Sequence, residues 1–163
     1  MITIEPMQAA QAPILLDIYR QGILSGMATF ETTVPEWPVF DTKYLPHSRI
    51  VALEEGELTG WAALSPVSSR DCYSGVAEVS VYVAENWRGK GIGKQLLKEL
   101  AKLSEENNFW TLESRIFSEN LASIKIHEEN GFRIVGSRER IGQLNGIWRD
   151  TLLLERRSIK VGI

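Results

Sequence analysis

The sequence predicts a mixed α/β fold, and three stretches carry that prediction: an alternating run at Val76–Val83, an amphipathic helix from about Gly91 to Leu103, and a hairpin about Glu55-Gly56. In the first, Val79, Val81 and Val83 fall on one face and Glu78, Ser80 and Tyr82 on the other, the period of two that a strand imposes. In the second, Ile92, Leu96, Leu97, Leu100 and Leu103 form one apolar stripe with lysine and glutamate between them. In the third, Arg49–Glu54 and Leu58–Leu64 flank a glycine that readily takes the positive φ of a tight turn.

The remaining elements follow in order. Ile2–Glu5 reads as a strand, and a helix starting near Met7 carries Ile14, Leu15, Ile18 and Gly22 on one face until the pattern dissolves at Ser25-Gly26. Ala28–Pro38, rich in Thr, Pro and aromatics, reads as a binding loop or lid, and Phe40–Leu45 as a short helix. Pro66–Gly75 is a loop. After the long helix ends near Asn107-Asn108, Trp110–Phe117 is a strand and Asn120–Asn130 a short helix closed by Gly131; Phe132–Ile141 and Gly146–Glu155 are a final pair of strands.

Length and composition bound the function. The 163 residues suit one domain spanning 1–163, and 44% apolar with 24% charged residues is ordinary for a globular protein. A net charge of −3 offers no general attraction for nucleic acid or an anionic membrane. The single cysteine, Cys72, excludes an internal disulfide and a Cys-rich metal site. With no secretory pattern at Met1–Glu5 and no apolar run of about 18 residues, a soluble, cytoplasmic protein is expected.

Between the alternating strand and the long helix stands Arg88-Gly89-Lys90-Gly91-Ile92-Gly93. Free amides at a helix N-terminus make an anion site, glycines admit phosphate oxygens close to the backbone, and Arg88, Lys90, Lys94 and Lys98 add positive charge. A pyrophosphate suits it; a tight turn with solvated lysines is the plainer alternative. The Walker pattern is absent, and the Gly-x-Gly-x-Gly spacing, coming after several strands, departs from the dinucleotide fingerprint.

These residues resemble the GCN5-related N-acetyltransferase (GNAT) superfamily, whose acetyl-CoA motif Gln/Arg-x-x-Gly-x-Gly/Ala is matched by Arg88, Gly91 and Gly93. Ala77–Val83, Asn120–Phe132 and Gly146–Asp150 narrow the likeness to the phosphinothricin and methionine sulfoximine/sulfone acetyltransferase branch. The resemblance implies a mostly antiparallel twisted sheet flanked by helices, acetyl-CoA as cosubstrate without a metal, and a homodimer. It also implies that amides from Arg88 to Lys94, including Gly89, Lys90 and Ile92, hold the pyrophosphate. The edge Val81-Tyr82-Val83 would pair with the pantetheine arm as an added strand, and Asn120 and Ser123 would reach the cofactor. Asn120 is also a good N-cap in its own right.

Acetyl transfer needs an unprotonated amine, a route for its proton and donors for the developing oxyanion. By the same resemblance, Glu78 is the base, and His127 stands where many members carry a tyrosine that protonates the thiolate. An ion-paired Glu78 and a structural His127 are the competing readings. An amide near Val81, freed by a bulge, would meet the thioester carbonyl. No side-chain nucleophile is required, so direct transfer in a ternary complex is expected. The resemblance places Phe30 and Glu31 with Arg70 and Tyr73 near the acceptor, although Ser74 departs from the arginine that methionine sulfoximine enzymes carry there. Another amine acceptor (a protein N-terminus, polyamine or aminoglycoside) and a non-catalytic CoA-binding module are the alternatives.

Overall fold

The computed structural model describes residues 1–163. Seven strands, β1 (Ile2–Pro6), β2 (Ile50–Glu54), β3 (Glu57–Pro66), β4 (Val76–Val83), β5 (Thr111–Phe117), β6 (Arg133–Leu144) and β7 (Ile147–Arg157), form one sheet in the order β1-β2-β3-β4-β5-β7-β6. Every neighbouring pair is antiparallel except β4 and β5. Four helices accompany the sheet: α1 (Ala12–Ser25), α2 (Trp37–Lys43), α3 (Ile92–Glu106) and α4 (Leu121–Glu129).

The strand period sorts the core into two layers. On one face, Ala62 and Leu64 of β3 and Ala77 and Val79 of β4 pack beneath Ile92, Leu96, Leu97 and Leu100 of α3. On the other, Trp61 and Ala63 of β3 meet Leu15, Ile18 and Tyr19 of α1 and Phe40 of α2. Coverage on both sides explains why β3 is buried continuously from Leu58 to Leu64, where an edge strand would alternate. The glutamate-glycine hairpin has both turn residues at positive φ, Glu55 at 52° and Gly56 at 81°, the twist that a two-residue β turn requires.

Several boundaries differ from the sequence reading. The helix expected from Met7 begins at Ala12, after a 3-10 turn at Ala9–Gln11, because Pro13 lacks an amide and its ring excludes a preceding helical turn. Ile14 is half exposed; the buried stripe is Leu15, Ile18, Tyr19 and Gly22. The second helix starts at Trp37 and not Phe40, since Pro38 is well placed in a first turn. Strand β6 passes Ile141 and runs to Leu144, joined to β7 by Asn145-Gly146 with φ of 50° and 80°. A register shift between Arg138 and Gly142 breaks the alternation that marks a strand, so the sequence pattern stops early.

Gly22 ties the fold to the cavity described below. A Cβ there would stand 2.6 Å from the Tyr82 ring, which is itself packed against both Tyr19 and Trp61 at centroid distances of 5.0 and 4.9 Å. Alanine would add about 1 kcal/mol of helix propensity, but the clamped ring cannot yield. Gly22→Ala is therefore expected to lose about 1–3 kcal/mol, read as a lower urea midpoint.

Candidate active site

The site begins with a fork in the sheet. Strands β4 and β5 pair only at Val76 with Thr111, Ala77 with Leu112 and Glu78 with Glu113. Beyond that point β4 is paired with β3 alone and β5 with β7 alone. The Ala84 amide bonds to the Thr59 carbonyl at 2.8 Å, and antiparallel alternation then directs the backbone groups of Ser80 and Tyr82 to β3 and those of Val79, Val81 and Val83 into the fork. The expected bulge at Val81 is absent, because β3 and β4 stay in continuous register from Gly60/Val83 to Pro66/Ala77. Divergence from β5 frees these amides instead.

A cavity of about 470 Å³ lies in the fork and is lined from both faces of the sheet. Asn120, Ser123 and His127 line it from α4, and Glu78, Tyr82 and Phe30 line it from the opposite face. His127 is 4% exposed. Its Nδ1 lies 2.7 Å from the Ser123 carbonyl oxygen, which can only accept, so Nδ1 carries the proton. Nε2 is left as a buried lone pair without a protein partner. Burial pushes the imidazole below its ordinary value, with the bond to Ser123 opposing in part. His127 is thus a neutral proton acceptor.

Glu78, with about a third of its side chain exposed, is ion-paired to Arg115 of β5, which also lies 3.5 Å from Glu113. Nearby, burial pushes Tyr44 up to about 12 and Tyr82 well above the usual phenol range, so both stay protonated. The Tyr44 hydroxyl donates to Ser80 Oγ at 3.3 Å. Arg115 was not legible as a site residue: it reads as one cation in an ordinary strand, and only the fork brings it to Glu78.

At the open end of β4, no protein acceptor meets the amides of residues 89–94, and α3 has no side-chain cap. Gly89 and Gly91 hold φ of 77° and 82°, which turns the chain into the helix. Gly93 has a different role, since a Cβ there would stand 3.2 Å from Ile126 Cδ1 and 3.6 Å from Val83: it lets α3 pack closely on α4 and β4. Arg88 Nε donates to the Val83 carbonyl at 3.3 Å, Lys90 lies over the Trp87 ring, and Lys94 pairs with Glu129 at 2.9 Å. Ile92, the first residue of α3, is buried against the sheet.

Phe30 and Glu31 line the cavity, with Phe30 edge-on to Phe117 at 4.8 Å. Arg70 and Tyr73 are not brought to its wall; they stack on each other at 5.5 Å on an exposed 3-10 turn, a cation–π contact that occupies both. Asn120 does more than cap. Its Oδ1 accepts from the Ser123 amide at 3.2 Å while Nδ2 donates to the Met27 carbonyl at 3.0 Å. Arg149 donates to the Gly26 carbonyl at 3.0 Å and lies 4.1 Å over the Phe117 ring. Together they tie the loop after α1 over the cavity. No helix is long and apolar enough to cross a membrane, and no three His, Cys, Asp or Glu side chains converge to hold a metal ion.

Known proteins are similar to this chain over most of its length. The acetyltransferase (GNAT) family model matches residues 16–132. A methionine sulfoximine/methionine sulfone acetyltransferase of Pseudomonas aeruginosa is 30% identical over 154 residues, covering 90% of this chain and 88% of its own. Among solved structures, a phosphinothricin acetyltransferase of Sinorhizobium meliloti in complex with acetyl-CoA superposes with a TM-score of 0.89 at 32% identity, covering 99% of this chain and 90% of that one. A ribosomal-protein-alanine N-acetyltransferase of Brucella melitensis gives a TM-score of 0.88 at 31% identity, covering 96% and 99%. With its sheet forked between β4 and β5 and its unbonded amides at the start of α3, this chain belongs to the GNAT acetyltransferase family.

Proposed function

We propose that this chain, acting as one catalytic domain in the cytoplasm, transfers an acetyl group from acetyl-CoA to the α-amine of a small amino-acid analogue of the phosphinothricin or methionine sulfoximine/sulfone type. The single observation that carries the reading is a cavity running through the sheet fork, with His127 at one face and Glu78 at the other. Acetyl-CoA is the donor. The amides of Gly89 to Lys94 take its pyrophosphate, and the fork-facing backbone of Val79, Val81 and Val83 pairs with its pantetheine arm. The Val81 amide is the donor aimed at the thioester oxygen. The amine enters from the face of Phe30 and Glu31, near enough to Glu78 for direct attack in a ternary complex.

Proton flow follows from the residues. Glu78 takes the proton of the incoming ammonium, directly or through water. His127, with Nδ1–H committed to Ser123 and Nε2 free, can accept a proton but has none to give in its resting form. It therefore serves the departing thiolate only after receiving a proton from the amine. The tied-down loop at Gly26 and Met27 favours a compact acceptor over a polypeptide end, although similarity to the Brucella enzyme keeps a protein N-terminus as the second reading. Exposed Ile134, Val135, Ile141, Ile147 and Trp148 on β6 and β7 support a homodimer built on that edge of the sheet.

Glu78→Gln is expected to lower kcat by about 10²–10⁴-fold while leaving acetyl-CoA affinity in place; a folded variant of undiminished turnover removes Glu78 from the reaction. An acceptor screen with a thiol reporter should show CoA release with phosphinothricin or methionine sulfone and none with peptide N-termini, and the reverse selects the second reading. Because burial lowers the His127 value, its neutral form persists where a free imidazole would charge, so the acid limb of kcat/KM should fall below pH 6.5. His127→Asn should remove that limb. Trp148→Glu should convert a dimer to a monomer in sedimentation; a wild-type monomer overturns the interface.

A further inference from the structure

The charged groups lining the cavity are not evenly committed. Arg115 is held by Glu78 and Glu113, whereas Glu31 and Lys43 lie at the end beside Tyr19. The guanidinium of Arg138, on the opposite side, has no carboxylate partner and makes no hydrogen bond within the chain, although the residue lines the same cavity. The other two arginines of β6 are both paired, Arg133 with Glu155 at 3.0 Å and Arg140 with Glu139 at 3.4 Å.

The position of Arg138 is built by a bulge. Arg138 pairs with Thr151 and Gly142 with Arg149, so three residues of β6 face one of β7. Arg140 takes φ of 47° in this bulge, and its amide donates to Asp150 Oδ1 at 2.7 Å. Thr151 also pairs with Phe117, which sets Phe117, Thr151 and Arg138 in one row across the sheet. Phe30 closes that row from above, edge-on to Phe117 and so near Gly142 that a Cβ there would stand 3.1 Å from its ring. Phe30, Phe117 and Thr151 thus line the part of the cavity between the fork and a guanidinium that has no partner within the chain.

We propose that Arg138 is a specificity-determining residue that binds an anionic group at the end of the acceptor remote from its amine, so that the enzyme prefers amino acids whose side chain ends in a phosphinate or carboxylate over those ending in a neutral sulfone. The inference rests on the acceptor reading above. The α-carboxylate, one carbon from the amine, stays with it at the β4 end of the cavity, whereas Arg138 stands three strands away on β6. Only a side-chain terminus reaches it. A planar guanidinium offers two parallel N–H donors to the two oxygens of either anion, and a sulfone lacks the charge that makes such a pair strong.

The test measures kcat/KM for phosphinothricin, glutamate and methionine sulfone in the wild type, Arg138→Gln and Arg138→Lys. The wild type should favour an anionic acceptor over the sulfone, with phosphinothricin and glutamate separating phosphinate from carboxylate. Arg138→Gln should lower the ratio of anionic to sulfone kcat/KM by about tenfold or more, chiefly through KM, and Arg138→Lys should restore part of it. An equal change for every acceptor, or a wild type that favours the sulfone, overturns the assignment of Arg138 while the acceptor reading stands. A wild type that acetylates none of the three overturns both.

Discussion

The divergence of β4 from β5 after three paired residues is the constraint on which the rest of the molecule depends. Inside a sheet, unpaired N–H and C=O groups are costly when buried and invite another strand when open. Here the open edge lies in the middle of the sheet, where α3 covers one face and α1 the other, so no second sheet can approach it. A narrow extended ligand can. The same divergence lets α3 begin beside the fork, and Gly93 allows its first turn to pack against Val83 and Ile126.

The two mouths of the fork differ in chemistry. On the α4 side His127 is sealed among apolar neighbours, edge-on to Phe132 at 5.0 Å, and burial keeps it neutral. On the α1 side the protonated Tyr82 and an ion-paired carboxylate face a cavity wide enough for a small molecule. In the proposed reaction, a thioester entering from one side and an amine from the other would meet where β4 carries both a free amide and Glu78. The sheet itself separates their binding surfaces.

Strong local periodicity made much of the fold legible. Val76–Val83 and the α3 stripe match their observed elements closely, because each buries its own regular face on a large core. The glycine turn was legible as a strand-to-helix turn with free amides, and resemblance pointed to Glu78, His127, Phe30 and Glu31, which the structure brings to one cavity. The fork was not legible, since how far two strands stay paired is settled by what packs on each and not by either sequence. Arg115 and Arg138 were missed for that reason: both sit in runs that read as exposed strand, and only the fork and the β6 bulge bring them to the cavity. Arg70 and Tyr73 illustrate the converse, a loop whose composition suits substrate but whose side chains bind each other.

Asn120 shows how capping and catalysis become one structural problem. Its side chain bonds the Ser123 amide, fixing the first turn of α4, and the Ser123 carbonyl in turn holds Nδ1–H of His127. Through Nδ2 the same residue holds the Met27 carbonyl in the loop that carries Phe30 and Glu31. The imidazole orientation on one side of the sheet and the cavity wall of Phe30 and Glu31 on the other therefore share an anchor. Arg149 secures the neighbouring Gly26 carbonyl from β7, so the loop is fixed at two adjacent peptides by two different elements. A loop released from either would lose its register over Phe117, and one released from Asn120 would also free the helix turn that sets His127. An N-cap at this position cannot be exchanged for serine on helical grounds alone, because the amide carries its acceptor and its donor on separate atoms that reach the helix and the loop, whereas serine has one short hydroxyl for both.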